Sequence, residues 1–377
     1  MIACQRHLFD LPDDVAWLNC AYTSPLMHSA VAAGTSALSQ KSHPWQISPT
    51  HFFEALNNSR ALFGQLVDCP AEQVARIPAV SYGIALAARN IPMSAGQTIV
   101  VLEGQFPSNV YAWRNRARRT GAEIVTVARP ENSDWTPAVL GAIDARTAVA
   151  ALPNCHWTDG TLVDLVRVGE KCRAVGAALV VDAIQSLGVM PFSVAAVQPD
   201  FLVTAAHKWL LGPYSFGWCY VSEKYLAGEP LEENWLNREG SEDFSRLLHY
   251  QDGYQPGAQR FDVGQGSNFI LSPVADVALK QILDWGVENI AVTLGAITAR
   301  IADAAMAMGF TVPEAAVRAP HMLGIAHPDG IPGEVARRLA EKKVFVSIRG
   351  KAIRIAPHVY TSEADVDRLL ETLRETL

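Results

Sequence analysis

The sequence predicts an α/β protein with a large domain on a mostly parallel central sheet and a smaller C-terminal α/β domain. Three observations lead there. Short apolar runs alternate with amphipathic stretches through the middle of the chain, the order that builds a parallel sheet with right-handed crossovers. The apolar strand ALVVDA stops at Asp182, at the strand end where such sheets present side chains to ligands. From about residue 280 the texture changes to long helices, short strands and a closing helix.

In chain order, FFEALNNSRALFGQLV (52–67) has helical periodicity, RIPAVSYGIALAARNI (76–91) is a strand-to-helix junction, and GQTIVVLEGQ (96–105) and GAEIVTVA (121–128) are strands. TAVAALPN (147–154) is a buried strand, LVDLVRVGEKCRAVGA (162–177) an amphipathic helix stopped at Gly176, and ALVVDA (178–183) the next strand. DFLVTAA (200–206) and GWCYVS (217–222) are strands flanking HKWLLGP (207–213). YQDGYQPGAQRFDVGQGSN (250–268) is Gly-rich and polar, hence a loop. Beyond it come long helices (274–309), HMLGIAHP (321–328), the helix EVARRLAEKK (334–343), the strands VFVSIRG (344–350) and AIRIAP (352–357), and the helix SEADVDRLLETL (362–373). The boundaries expected are an N-terminal arm (1–19) packing on the small domain, a large domain (20–260), and an interface loop, linking helix and small domain (261–377).

The chain has 377 residues, 49% hydrophobic and 18% charged, with a formal net charge of −7. That suits a core-rich globular protein of one large domain and one smaller. No Lys/Arg run supplies the footprint that nucleic acid or an anionic membrane requires. The first residues lack the apolar stretch of a secretory signal, so the cytoplasm is the expected address. Six scattered cysteines without C-x-x-C pairs point to reduced thiols and no metal site.

The chemistry centres on Asp182 and Lys208, the latter just past the following strand. An acid and a lysine at neighbouring strand ends can be a structural ion pair or a site. The surrounding string, VVDAIQSLGVMPFSVAAVQPDFLVTAAHKWLLGPYSFGWCYV, resembles the signature of class V aminotransferases, a branch of fold type I pyridoxal-phosphate enzymes. Its ordered features are the Asp, a Gln three residues on, Asp-Phe, His-Lys-Trp and Gly-Pro. WLNCAYTSPL and IRIAPHVYTSEADV extend the likeness towards both ends.

The resemblance implies pyridoxal 5'-phosphate, with Lys208 as its Schiff-base lysine and general base. Asp182 would pair with the pyridine nitrogen and favour its protonated, electron-withdrawing form, and Gln185 would lie near the phenolic oxygen. The helix start at Val80 and Ser81 matches a phosphate cradle, with Gly83 allowing close approach. His207 matches a phosphate-contacting histidine of cysteine desulfurases, although Ala205 stands where those enzymes carry Ser. GQFPSNVYAWR is similar to a kynureninase segment and offers Phe106 to stack on the ring, with Ser108 and Asn109 nearby. NCHWTDG offers Thr158, or else His156 or Trp157, to the phenolic oxygen and substrate. Ser267 and Asn268 resemble a Ser-Asn stretch that approaches the active site, often a neighbouring subunit's, which implies a homodimer. Arg354 aligns with the arginine that clamps the substrate α-carboxylate, and Arg349 is a neighbour able to assist.

The nominal reaction is transamination of a small α-amino acid. Kynureninase-like hydrolysis, carbon–sulfur or carbon–selenium lysis and epimerisation share the scaffold. Cysteine desulfurase is disfavoured because no cysteine follows Cys219, and kynureninase because His207 and Gln185 replace the expected Tyr and His. A non-catalytic binding module needs Lys208 to be a bystander. A nicotinamide dehydrogenase lacks its G-x-G-x-x-G.

Overall fold

The computed structural model describes residues 1–376. After a short β1 (Ala16–Trp17), the central strands are β2 (Val74–Ile77), β3 (Thr98–Leu102), β4 (Glu123–Val127), β5 (Thr147–Pro153), β6 (Ala178–Asp182), β7 (Phe201–Ala205) and β8 (Gly217–Val221). They form one sheet in the order β2-β8-β7-β6-β5-β3-β4. Only β8 runs against the rest, so β2 through β7 deliver their carboxyl ends to one edge.

Both faces of the sheet are covered, which explains strands that read as continuous apolar runs. In β6, Leu179 and Val181 enter one core while Ala178 and Val180 enter the other. On the first face pack α2 (His51–Val67), α5 (Trp135–Ala142), α6 (Leu165–Val175) and α8 (Leu271–Trp285), through residues such as Phe63, Trp135, Val168 and Leu279. On the second pack α3 (Val80–Asn90) and α4 (Tyr111–Thr120), through Ile84 and Trp113. α1 (His28–Lys41) lies against α8, where a Cβ at Gly34 would stand 3.0 Å from a Val274 methyl. α7 is the single turn Val194–Val197.

The 274–309 stretch is two helices, α8 and α9 (Val287–Ala307), because Gly286 at φ 77° turns the chain between them. α9 leads into a unit with β9 (Leu323–Ala326), α10 (Gly333–Glu341), β10 (Val344–Phe345), β11 (Ser347–Arg349), β12 (Ala352–Ile355) and α11 (Glu363–Thr376). β11, β12 and β9 form an antiparallel sheet over their own core of Ile301, Leu323, Ile353 and Leu369.

Two seams join this unit to the large sheet. Residues 16–24 pair first with β10, then bond Ala356, and end with the Ser24 N–H on the His207 carbonyl at 3.0 Å. The loop after β5 is the second seam. Ala319 N–H bonds the Gly160 carbonyl, Gly324 N–H bonds the Asp159 carbonyl, and a Cβ on Gly160 would lie 2.4 Å from the Met322 carbonyl oxygen.

Candidate active site

The loop from β7 makes a tight turn. Leu211 takes a left-handed φ of 53°, the Gly212 N–H bonds the Ala206 carbonyl at 2.9 Å, and a Cβ at Gly212 would approach that of Ala206 to 2.7 Å. The turn sets Lys208 beside Phe106, its Nζ 5.6 Å from the ring centroid, with the residue only 8% exposed. Burial pulls the Lys208 ammonium down and pushes the Asp182 carboxyl up, and each charge opposes the shift of the other. The Asp182 carboxylate accepts one backbone hydrogen bond, from Ile184 at 3.2 Å, which leaves lone pairs for a further donor.

At the β2 edge, Ala79 is extended and Val80 begins α3. The first amides of a helix have no intrahelical acceptor, and the dipole favours an anion before them. The Ser81 side chain is exposed, and no side chain caps the helix. Gly83 has a different role from the one expected: a Cβ there would lie 2.5 Å from Val203 Cγ1, so glycine lets α3 settle on β7. His207 stacks edge-on with Tyr214 at 4.7 Å, and its buried Nδ1 has no partner. Burial, reinforced by Lys208, pulls the imidazole to about 4, so it is neutral near pH 7.

Phe106 is 39% exposed and meets Trp157 edge-on at 5.4 Å. Ser108 is half-buried just beyond it. Asn109 is fully buried, accepting from Trp113 Nε1 while its own Nδ2 is unpartnered. Gln185 is committed within the protein, since Nε2 donates to the Ala21 carbonyl (3.2 Å) and Oε1 accepts from Trp209 Nε1 (2.8 Å). One Nε2 hydrogen is left for a ligand. The Thr158 hydroxyl is bound by His156 Nδ1 (2.7 Å) and Arg129 (3.3 Å), in a cluster closed by Arg129–Asp159. Ser267 donates to the Phe52 carbonyl, and the Asn268 side chain caps the start of α8 by accepting from Ile270 and Leu271. Neither bonds a residue of the Lys208 cluster.

Arg354 is 1% exposed on β12, directly opposite Ser347. Its guanidinium donates to the Trp157 carbonyl (2.8 Å) and more distantly to Asn19 Oδ1 and Ser347 Oγ (3.5 and 3.4 Å). Its Nε has no partner, and no carboxylate among the described residues neutralises it. Burial, then neighbouring Arg349, pulls it to about 10. The supports Asn19, Ser347 and the Trp157 carbonyl escape sequence reasoning because only long-range pairing brings residues 19 and 347 together. Among the described residues no group of three or more His, Cys, Asp or Glu could hold a metal ion.

The sequence model described as "Aminotransferase class-V" matches residues 46–369. The chain belongs to that family. Class V enzymes use pyridoxal 5'-phosphate, and the vacant hydrogen-bonding capacity suits it: a free acid for a pyridine N–H, a helix start and neutral His207 for a phosphate, and an aromatic face for a ring. An uncharacterized aminotransferase, YcbU of Bacillus subtilis, is 26% identical over 86% of the chain and 85% of its own length. Isopenicillin N epimerase of Streptomyces clavuligerus is 25% identical over 78% and 77%. A cysteine desulfurase of Klebsiella pneumoniae is 30% identical over 51% and 48%. The class V relatives thus include desulfurases, and setting that reaction aside finds no support in them.

Among solved structures, the apo cysteine desulfurase of Thermococcus onnurineus superposes with a TM-score of 0.86 at 18% identity, covering 100% of this chain and 98% of that one. A variant of C-DES with glycine covalently linked to its PLP cofactor gives 0.90 at 17%, covering 99% and 100%. At such identities the likeness establishes the fold, which is fold type I.

Proposed function

We propose that this class V enzyme transfers the amino group of a small α-amino acid, with Lys208 as the attachment point and proton carrier. The observation that carries the reading is that Lys208 and Asp182, at the carboxyl edge of the large sheet, are met by Arg354 of β12, which has no acid partner among the described residues and whose charge is felt at Lys208. When bound, pyridoxal phosphate draws electrons from the bonds at the substrate Cα. Asp182 holds the ring nitrogen's proton, and its buried, lightly bonded carboxylate favours keeping that proton close. Phe106 covers a ring face and keeps water off. Val80, Ser81 and His207 take the phosphate. Arg354 fixes the α-carboxylate, which limits rotation at Cα and leaves the α-hydrogen within reach of Lys208. Lys208 Nζ, carrying a larger neutral fraction than an exposed lysine, would take that proton and return it to the cofactor carbon two bonds away, across the nitrogen. Return to the same carbon on the opposite face would give epimerisation, so proton placement separates the two outcomes.

The thiols support transamination over desulfuration. Cys20 and Cys155 lie beside the site, with Sγ on the Lys208 and Gln185 carbonyls, and both are fully buried with their thiols pushed well up. Neither supplies a thiolate nucleophile.

The site also supports a homodimer. Tyr214, which packs on His207, is 74% exposed, and Tyr22, Trp45, Leu248 and Tyr250 are exposed as well.

The test is an amino-acid panel with keto-acid, sulfide and enantiomer detection, run on wild type and Lys208→Ala. Keto acid formed from the amino donor only when a keto-acid acceptor is present, and abolished in the variant, is expected. Sulfide, alanine or the opposite enantiomer as the main product would replace transamination by that reaction. Binding without turnover, unchanged in Lys208→Ala, would make the protein a binding module.

A further inference from the structure

Building on the reading of Arg354 as the α-carboxylate site, we propose that Arg349 binds a second anionic group, so that the preferred substrate is a short α-amino acid with an acidic side chain. β11 and β12 place Ser347 opposite Arg354 and Arg349 opposite Ala352. The two arginines are therefore diagonal neighbours on one face of a hairpin, with Cα atoms about 7–8 Å apart. A ligand bridging them needs only a short chain.

Neither guanidinium has a carboxylate partner among the described residues, and both Nε atoms are buried without a hydrogen bond. Arg349 donates only to the carbonyl of its own neighbour, Ile348. Its guanidinium lies 5.6 Å from the ring of Trp157, the residue whose side chain meets Phe106 and whose backbone carbonyl holds Arg354. Arg349 also lines a cavity of about 900 Å³ beside the Trp157 loop, together with Gly104, Arg129, His156 and Thr158. Arg129 is already neutralised there by Asp159, whereas Arg349 has no carboxylate partner among the described residues.

Two like charges held this close repel, and the field of Arg349 is felt at Arg354. A substrate with one carboxylate relieves half of that repulsion and leaves Arg349 facing an apolar side chain. One with two anions satisfies both guanidiniums, each able to take a carboxylate or phosphate through paired N–H donors.

The experiment uses the cofactor-loaded protein, as wild type, Arg349→Gln and Arg349→Lys. Affinities for succinate, glutarate, acetate and propionate are read from thermal shifts, and turnover is compared for aspartate, glutamate, O-phosphoserine and alanine. Dicarboxylates are expected to bind more tightly than monocarboxylates. Arg349→Gln should lose on the order of 10- to 100-fold of dicarboxylate affinity, the usual effect of removing a charge-assisted pair, with partial recovery in Arg349→Lys. Preference among the acidic substrates shows whether the second anion is carboxylate or phosphate. Equal affinity for mono- and dicarboxylates, or an Arg349→Gln variant as discriminating as wild type, overturns the proposal. Alanine turning over as well as aspartate sinks the Arg349 assignment alone. Dicarboxylate discrimination without any amino-acid turnover sinks the transaminase reading and keeps the anion site.

Discussion

Lys208 is held where its neutral form is accessible. Desolvation lowers its pKa from 10.5 to about 8, outweighing the opposing field of Asp182. The attacking species is the free amine, so uptake of pyridoxal phosphate by cofactor-free protein should accelerate as pH rises through about 8, well below an ordinary lysine. Stopped-flow absorbance across pH 6–10, roughly spanning both values, checks this; an inflection near 10 would mean that burial has little hold on the amine. Arg354 gives a second expectation. Lysine in its place keeps the charge but loses the fork that reaches Trp157, Asn19 and a carboxylate together. Arg354→Lys should raise KM for the amino acid about 10- to 100-fold, with a smaller change in kcat. Asp182 and Lys208 are legible in sequence because strand ends announce themselves. The surroundings of Thr158 and Gln185 are not, since the Arg129 guanidinium that bonds Thr158 and the Ala21 carbonyl that bonds Gln185 stand far away along the chain.

At the scale of elements, the strands of the large sheet were readable because both faces are buried and their apolar runs are unbroken. α1 was not readable: its small residues pack closely on α8 without forming a strong apolar stripe. The start of α6 also shifts inward to Leu165, because Thr161 and Leu162 bridge to Arg318 and Cys155. The loop between β5 and α6 turns on Gly160, at φ 79° with the Met322 carbonyl against it. Gly160→Ala brings both left-handed strain and a backbone clash, and should cost about 2–4 kcal/mol. Urea unfolding should show a lower midpoint at unchanged m. Because Trp157 sits in the same loop, weaker carboxylate binding should accompany it.

At the scale of the molecule, the large sheet supplies Lys208, Asp182 and the helix start, and the small unit supplies Arg354 and Arg349. The expected homodimer is checked by light scattering with Tyr214→Glu and Tyr250→Glu: wild type at about twice 40.9 kDa, with both variants shifted down towards the single-chain mass of 40.9 kDa. A wild-type monomer that still holds cofactor tightly would refute it. The seam of residues 16–24 has a consequence for how the protein comes to exist. Ala16 and Trp17 find their partners at Val344 and Phe345, more than three hundred positions later in the chain. At the usual pace of synthesis that is a wait of roughly 15–65 s, during which the large sheet can assemble while the strap behind Lys208 has nothing to hold. A stretch translated late therefore completes one translated early, and the strap can take its place behind Lys208 only once residues 344–345 have joined it.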